Sequence, residues 1–303
     1  MIRDRNVLEF GCNSGENALV LASMGANLTL VEPNGQVFPR LRSLFKEYNL
    51  ENNIIDLLEE GMDEFNTNQL YDIVIAECFI THLSNPEEMI SKMCDLLVPG
   101  GIGVVSIDDN YGHFLEIIRK LVFWRVCRLR GVKDAHSQTT LDIAKELFGE
   151  EFGWLSASRP FEAWYEDVLL NPFVSWPHLR TYTDVIPVLE RSGCEFFSSS
   201  PKWAPVDTFS WYKNVPDIKE RHNAILESWK NYFYYFLSGI APGVGASMET
   251  ASDDTVKATA EMLRLASEYI KDPENTPIEK QIYPQDMEQY CLPWYRDMEF
   301  LLV

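Results

Sequence analysis

The chain has 303 residues, 46 of them acidic against 26 basic, for a formal net charge of -20. A 46% hydrophobic and 13% aromatic composition argues against wholesale disorder, and the length fits one large domain or one domain with an appendage. The acidity opposes a broad grip on nucleic acid or on an anionic membrane surface.

No apolar run reaches the roughly 20 residues of a membrane span. The opening residues Met1 to Arg5 lack the apolar stretch of a signal peptide. The six cysteines (Cys12, Cys78, Cys94, Cys127, Cys194 and Cys291) are scattered, and none forms a C-x-x-C pair. Neither a zinc ribbon nor a disulfide framework is indicated, and a reduced, cytoplasmic enzyme is expected.

Strands and helices alternate through the first hundred residues. Asn6 to Phe10 reads as a short strand that runs into glycines. Asn17 to Met24 reads as a helix, Leu28 to Val31 as a strand, and Val37 to Tyr48 as a helix with a basic outer face. Asn53 to Leu58 and Tyr71 to Ala76 are further strands. Pro86 to Leu97 is helical, Pro99-Gly100-Gly101 turns, and Ile102 to Ile107 is a strand. Strands separated by helices of this length imply βαβ units, a parallel sheet and helices on both faces.

Thr183 to Ser192 reads as a helix ended by Gly193, and Cys194 to Ser199 with Val206 to Tyr212 as a closing antiparallel hairpin. Asp217 to Leu237 reads as one long helix, and Ser252-Asp253-Asp254 caps a second that runs to Lys271. Its Val256, Ala260, Leu263, Ala266 and Ile270 share one face. The glycine-rich 239–245 stretch is followed by no phosphate-loop lysine, and Pro273, Pro277, Pro284 and Pro293 mark an irregular tail.

The chemistry concentrates in Glu9-Phe10-Gly11-Cys12-Asn13-Ser14-Gly15, between the first strand and the first helix. Glycines there allow a sharp turn and close approach of a ligand, and the following helix presents free N–H groups. About twenty residues on, the second strand ends in Val31-Glu32-Pro33, where a carboxylate can accept from both ribose hydroxyls. The pairing points to an adenosine-containing ligand. The pattern is not G-x-G-x-x-G, and the loop carries an acid with no nearby Lys or Arg. That suits a cationic sulfonium nucleoside better than a pyrophosphate.

Residues 7–107 resemble the class I S-adenosylmethionine-dependent methyltransferases. VLEFGCNSG is similar to the family's first motif, with Asn13 in place of the middle glycine, a mild departure because Asn tolerates left-handed backbone angles. VEPNG is similar to the second motif, with Glu32 as the ribose acid. EEGMDEF, with Gly61, Met62 and Asp63, stands where the family contacts adenine, in a distorted form. YDIVIAECFITHL is similar to the fourth motif and puts Glu77 and Cys78 beside the cofactor's methionine end. LLVPGGIGVVSI resembles the turn and fifth strand that follow.

The resemblance implies a Rossmann-like, seven-stranded, mostly parallel sheet and S-adenosyl-L-methionine as cofactor. Glu9, Gly11, Cys12, Asn13, Gly15, Glu32, Pro33, Gly61, Met62, Asp63, Glu77 and Cys78 are its expected contacts. It also implies methyl transfer. The methyltransferase domain then spans 1–214, with a helical appendage over 215–303. Residues 108–182 form an insertion longer than the family's usual one, expected to be a helical substrate cap. The family's helices ahead of the first strand are missing. The cap and C-terminal helices, a second subunit or a later-than-native start would each account for that.

Residues 115–133 hold six bases and one acid. Three accounts stay open: a site for an anionic group or partner, involving Arg119 and Arg125; peripheral membrane contact; or a helix docked by its apolar side with its basic face pairing local acids. Trp164 and Tyr165 are substrate candidates or the cap's own core. A base is needed only if the acceptor must lose a proton, and His113, Tyr111 and His82 are the candidates. No metal ligand set is visible. The expected partner is a small-molecule acceptor on O or N, such as a sugar or natural product. A macromolecular acceptor, or a binder of the same cofactor that does not methylate, is the alternative. The C-terminal helices could complete the substrate pocket or form a homodimer contact.

Overall fold

The structure, a computed structural model, describes residues 2–154, 160–200, 217–239 and 249–272. The chain divides into two compact units, Met1–Ile107 with Tyr182–Phe197, and Asp108–Thr181 with Ser198–Val303.

The first unit carries the sheet. Its strands are β1 (Asn6–Phe10), β2 (Asn27–Val31), β3 (Ile54–Leu58), β4 (Tyr71–Ala76) and β5 (Leu97–Val105). They lie in the order β3-β2-β1-β4-β5, every neighbouring pair parallel. The helices α1 (Glu16–Ser23), α2 (Phe38–Glu47), α3 (Pro86–Asp95) and α7 (Tyr182–Arg191) belong to the same unit. Successive strand residues point to opposite faces, so β1 feeds two cores. Leu8 and Phe10 join Met89, Met93, Val185 and Val188 of α3 and α7. Val7 joins Ala18 and Ala22 of α1 and Leu41 and Phe45 of α2. Pro86 occupies the first turn of α3, where its missing N–H costs no hydrogen bond.

Three expectations change here. Among the described residues the sheet has five strands, not seven. Cys194 to Ser199 forms no strand. The adjacent Phe196 and Phe197 would face opposite sides of one, and Phe197 stands in solvent. Val206 to Tyr212, its expected hairpin partner, lies outside the described residues, as do residues 240–245 of the glycine-rich stretch and the Pro273–Pro293 tail. The Pro99-Gly100-Gly101 turn interrupts β5 instead of preceding it, since Tyr71 pairs with Leu97 but Ile73 with Ile102. Ile102 is 55% exposed on this last strand of the described sheet.

The second unit is helical among its described residues. It contains α4 (Phe114–Leu129), α5 (Gln138–Trp154), α6 (Phe161–Trp164) running into a π-helical turn (Tyr165–Leu170), α8 (Ile218–Asn231), α9 (Phe233–Ser238) and α10 (Asp253–Lys271). The expected single helix from Asp217 to Leu237 breaks at Tyr232 into α8 and α9. Asp217 caps α8 with a capping box to Glu220, and Ser252 caps α10 through the Thr255 N–H at 3.1 Å. The buried face of α10 is Thr255, Thr259, Met262, Leu263 and Ala266. It is rotated from the expected one, leaving Val256, Ala260 and Ile270 half-buried. Thr259 enters the core because its hydroxyl donates to the Thr255 carbonyl at 2.9 Å.

Among the described residues no helix is long and apolar enough to cross a membrane.

Candidate cofactor site

The carboxyl ends of β1, β2 and β4 hold most of the residues singled out from the sequence. The chain leaves β1 through a loop in which Gly11, Asn13 and Gly15 have φ of 67°, 46° and 84°. A Cβ on Gly11 would stand 2.9 Å from the Phe79 ring, and one on Gly15 2.9 Å from Leu41 Cγ. Both positions therefore exclude a side chain by backbone angle and by space. Asn is the residue that best tolerates the left-handed angles at position 13.

Glu32, at the end of β2, clamps this loop. One carboxylate oxygen accepts from the Asn13 N–H at 3.0 Å and the other from the Asn34 N–H at 2.9 Å. Each oxygen keeps a second lone pair for a further donor. Pro33 beside it is exposed.

Glu9 is the unusual group. It is 4% exposed in the middle of the sheet, and its Oε2 has no hydrogen-bond partner. Burial first, and the nearby Glu77 charge second, push its pKa up to about 7. Burial and the charges of Glu9 and Glu32 likewise push the Cys12 thiol up to about 12. Glu77 accepts from Asn17 Nδ2 of α1 at 3.4 Å. Cys78 takes a left-handed φ of 65°, and its N–H donates to the Ser106 hydroxyl. Gly61, Met62 and Asp63 form a turn soon after β3. The Met62 and Asp63 carbonyls accept from Lys92 Nζ at 2.8 and 3.2 Å, and the Gly61 N–H donates to Glu64.

Three carboxylates thus gather around a glycine turn, and among the described residues no ion pair neutralises Glu9, Glu32 or Glu77. A pyrophosphate would meet repulsion there. A cationic ligand with ribose hydroxyls would find acceptors, including the orphaned Glu9 Oε2. Asn17, Asn34, Phe79, Lys92 and Ser106 were not singled out from the sequence. Only Asn34, two residues after Glu32 in a Pro-Asn-Gly turn, carried a local signal.

His82 lies in this unit, half-buried in a 3-10 turn (Ile80–His82) after β4. The other candidates belong to the helical unit. The His113 Nδ1 stands 3.2 Å from the Asp109 carbonyl. Tyr111 is buried among Phe233, Trp229 and Trp176, with ring centroids 4.7, 5.4 and 6.2 Å away. Asp109 ties the segment together, accepting from the Tyr111 and Gly112 N–H groups and the Thr181 hydroxyl. Burial raises its pKa against those bonds.

In the basic stretch Arg119 and Arg130 pair local acids, but Arg119 and Lys120 make their bonds from buried positions and not from a solvated face. Arg119 is 8% exposed and bonds to Glu116 and Glu151. Lys120 is 3% exposed and donates to the Asn171 and Val174 carbonyls. Arg128 donates to the Ile270 carbonyl and sits 5.2 Å from the Tyr269 ring centroid. Nearly the whole circumference of α4 is buried, so these side chains reach partners inside the unit. Arg125 Nε is buried with no hydrogen-bond partner. Trp164 donates to Glu116 at 3.2 Å, and with Phe148 and Phe152 it lines a small pocket around Arg119. The Tyr165 hydroxyl bonds to the Ala135 carbonyl and to Thr140, both at 2.9 Å.

This architecture of a parallel sheet, a glycine turn and an acid on the next strand defines a nucleoside-binding α/β fold. A family model described as a methyltransferase domain matches residues 2–189, and the chain belongs to that family. Over 100 residues it is 29% identical to a ubiquinone biosynthesis O-methyltransferase of Rickettsia canadensis, covering 33% of this chain and 41% of that protein. It is 29% identical over 115 residues to the enzyme of the same name from Shewanella pealeana, covering 38% and 48%. The chain thus spans less than half the length of these curated relatives. Among solved structures it is similar to the CcbJ methyltransferase of Streptomyces caelestis, at 25% identity and a TM-score of 0.34 over 36% of this chain and 48% of that one.

Proposed function

We infer that the protein binds S-adenosyl-L-methionine at the β1–β2–β4 carboxyl ends and transfers its methyl group to an oxygen or nitrogen of a small molecule. The observation that carries this reading is the acidic glycine turn. Glu32 holds the loop through the Asn13 N–H, and the buried Glu9 carries one oxygen with no hydrogen-bond partner in the protein. The relatives' printed name, an O-methyltransferase of ubiquinone biosynthesis, supports a small-molecule acceptor.

The cofactor supplies an electrophilic methyl group when bound. The chain's own residues do the rest. Glu32 accepts hydrogen bonds from ribose hydroxyls, Glu9 and Glu77 favour the positive methionine end, and the 61–63 turn borders the adenine. We assign acceptor recognition to the 108–181 segment, with Trp164 and Arg119, which line its small pocket, as the candidate contacts, while the buried Tyr165 and the half-buried Arg125 serve the segment's own core. His113 is the preferred base, because its bond to the Asp109 carbonyl orients the ring and leaves Nε2 to take a proton from a hydroxyl.

Titration calorimetry with S-adenosyl-L-methionine and with S-adenosyl-L-homocysteine tests this. Both should bind the full chain, and Glu32→Ala should weaken each at least tenfold. Absence of binding by either compound to the unaltered protein would overturn the reading.

A further inference from the structure

Two thiols that the proposed reaction does not use stand side by side in the first unit. Cys94 lies in the last turn of α3, and Cys194 lies just past the end of α7. The two helices pack together, and the Ser91 and Ser192 hydroxyls meet at 2.9 Å across them. Cys94 is one turn further along α3 from Ser91. Gly193, with φ of 71°, turns the chain at the end of α7, and the Cys194 N–H returns to the Leu189 carbonyl at 2.9 Å. Cys94 and Cys194 thus flank the Ser91–Ser192 contact where the two helices meet, with the two thiols facing each other. Both cysteines are free and half-exposed, 100 residues apart in the sequence.

We propose that Cys94 and Cys194 form a reversible dithiol–disulfide pair that staples α3 to the end of α7. The oxidant is a small-molecule disulfide such as oxidised glutathione. The Cys194 thiolate attacks one glutathione sulfur, forms a mixed disulfide and releases one glutathione thiolate. Cys94 then loses its proton and attacks the Cys194 sulfur, and the second glutathione leaves as a thiolate. Two electrons pass from the protein dithiol to glutathione disulfide, and two protons end on the two glutathione thiols. Burial, the neighbouring thiol and Asp95 push Cys94 up to about 12, so the closing step is slow at neutral pH and faster in mild alkali.

The staple has a place to act. Lys92, two residues before Cys94, holds the Met62 and Asp63 carbonyls of the turn near β3. Cross-linking α3 at its end restrains that anchor. A bond closing so long a loop removes much of the unfolded chain's freedom.

The full chain should be incubated with oxidised glutathione at about pH 8.5, alkylated with iodoacetamide and digested with trypsin. Cys94 lies in the peptide 93–119 and Cys194 in 192–202, each the sole cysteine of its peptide. The two should appear as one linked species, two hydrogens lighter than their sum, which dithiothreitol returns to separate peptides. Oxidation should raise the melting temperature by about 5 °C, and neither Cys94→Ser nor Cys194→Ser should show that rise. Recovery of both peptides fully alkylated, or linked only to glutathione or to another cysteine, overturns the pair. A linked species with an unchanged melting temperature overturns the staple.

Discussion

Glu9 sets the sharpest expectation at the level of single residues. Its pKa stands at about 7 in the folded chain against an ordinary 4.5. Below pH 4.5 both folded and unfolded chains keep the proton. As pH rises from about 4.5 to about 7 the unfolded chain releases it first, so stability falls across that window, by about 3 kcal/mol. Glu9→Gln should remove this fall and leave the protein more stable than the unaltered chain at pH 8, read by urea unfolding at pH 5 and pH 8. Gly11→Ala meets both a positive φ and the Phe79 ring. It should cost about 1–3 kcal/mol and abolish S-adenosyl-L-methionine binding in calorimetry. Gly11, Asn13 and Gly15 were legible in the sequence because left-handed angles select Gly and Asn. The equally left-handed Cys78 was not, since its backbone is held by Ser106, 28 residues away.

Helix α4 shows how far composition misleads about one element. Four of the six bases in residues 115–133 lie on α4 and suggest a solvated face, yet the structure buries Arg119 and Lys120. Long side chains carry their charge past apolar neighbours to reach acceptors, here two carboxylates for Arg119 and two carbonyls for Lys120. Lys120→Met should strip the Asn171 and Val174 carbonyls of their donor and cost about 2 kcal/mol, measured by chemical denaturation. Arg130, whose pair with Glu146 lies in solvent, is the control, and Arg130→Ala should leave the melting temperature unchanged. The apolar stripe expected on α10 shares Leu263 and Ala266 with the buried face, but Thr255, Thr259 and Met262 replace Val256, Ala260 and Ile270 in it. Threonine counts as polar in the sequence, but the Thr255 hydroxyl pairs with that of Ser252 and the Thr259 hydroxyl with the Thr255 carbonyl, so both enter the core.

Over the whole molecule the -20 charge is spread, with 31 acids and 18 bases in residues 1–214 and 15 and 8 in the rest. Self-repulsion keeps such a chain dispersed at neutral pH, so solubility should pass through a minimum near its pI of about 4.6, where enough carboxylates are protonated to bring the net charge to zero. Turbidity against pH checks this. The sequence by itself determined the alternation of strands and helices, the glycine turn, and the acid at the end of the second strand. These are local matters, governed by the period of apolar residues and by backbone angles that few residue types accept. Only the tertiary structure decided that Glu32 clamps the loop, that Glu9 is buried with an oxygen unmet, that the bases of α4 point inward, and that Cys94 meets Cys194. Each of those depends on which distant segment arrives opposite a side chain, and on how much water that arrival displaces. Neither quantity is written in the spacing of residues along the chain.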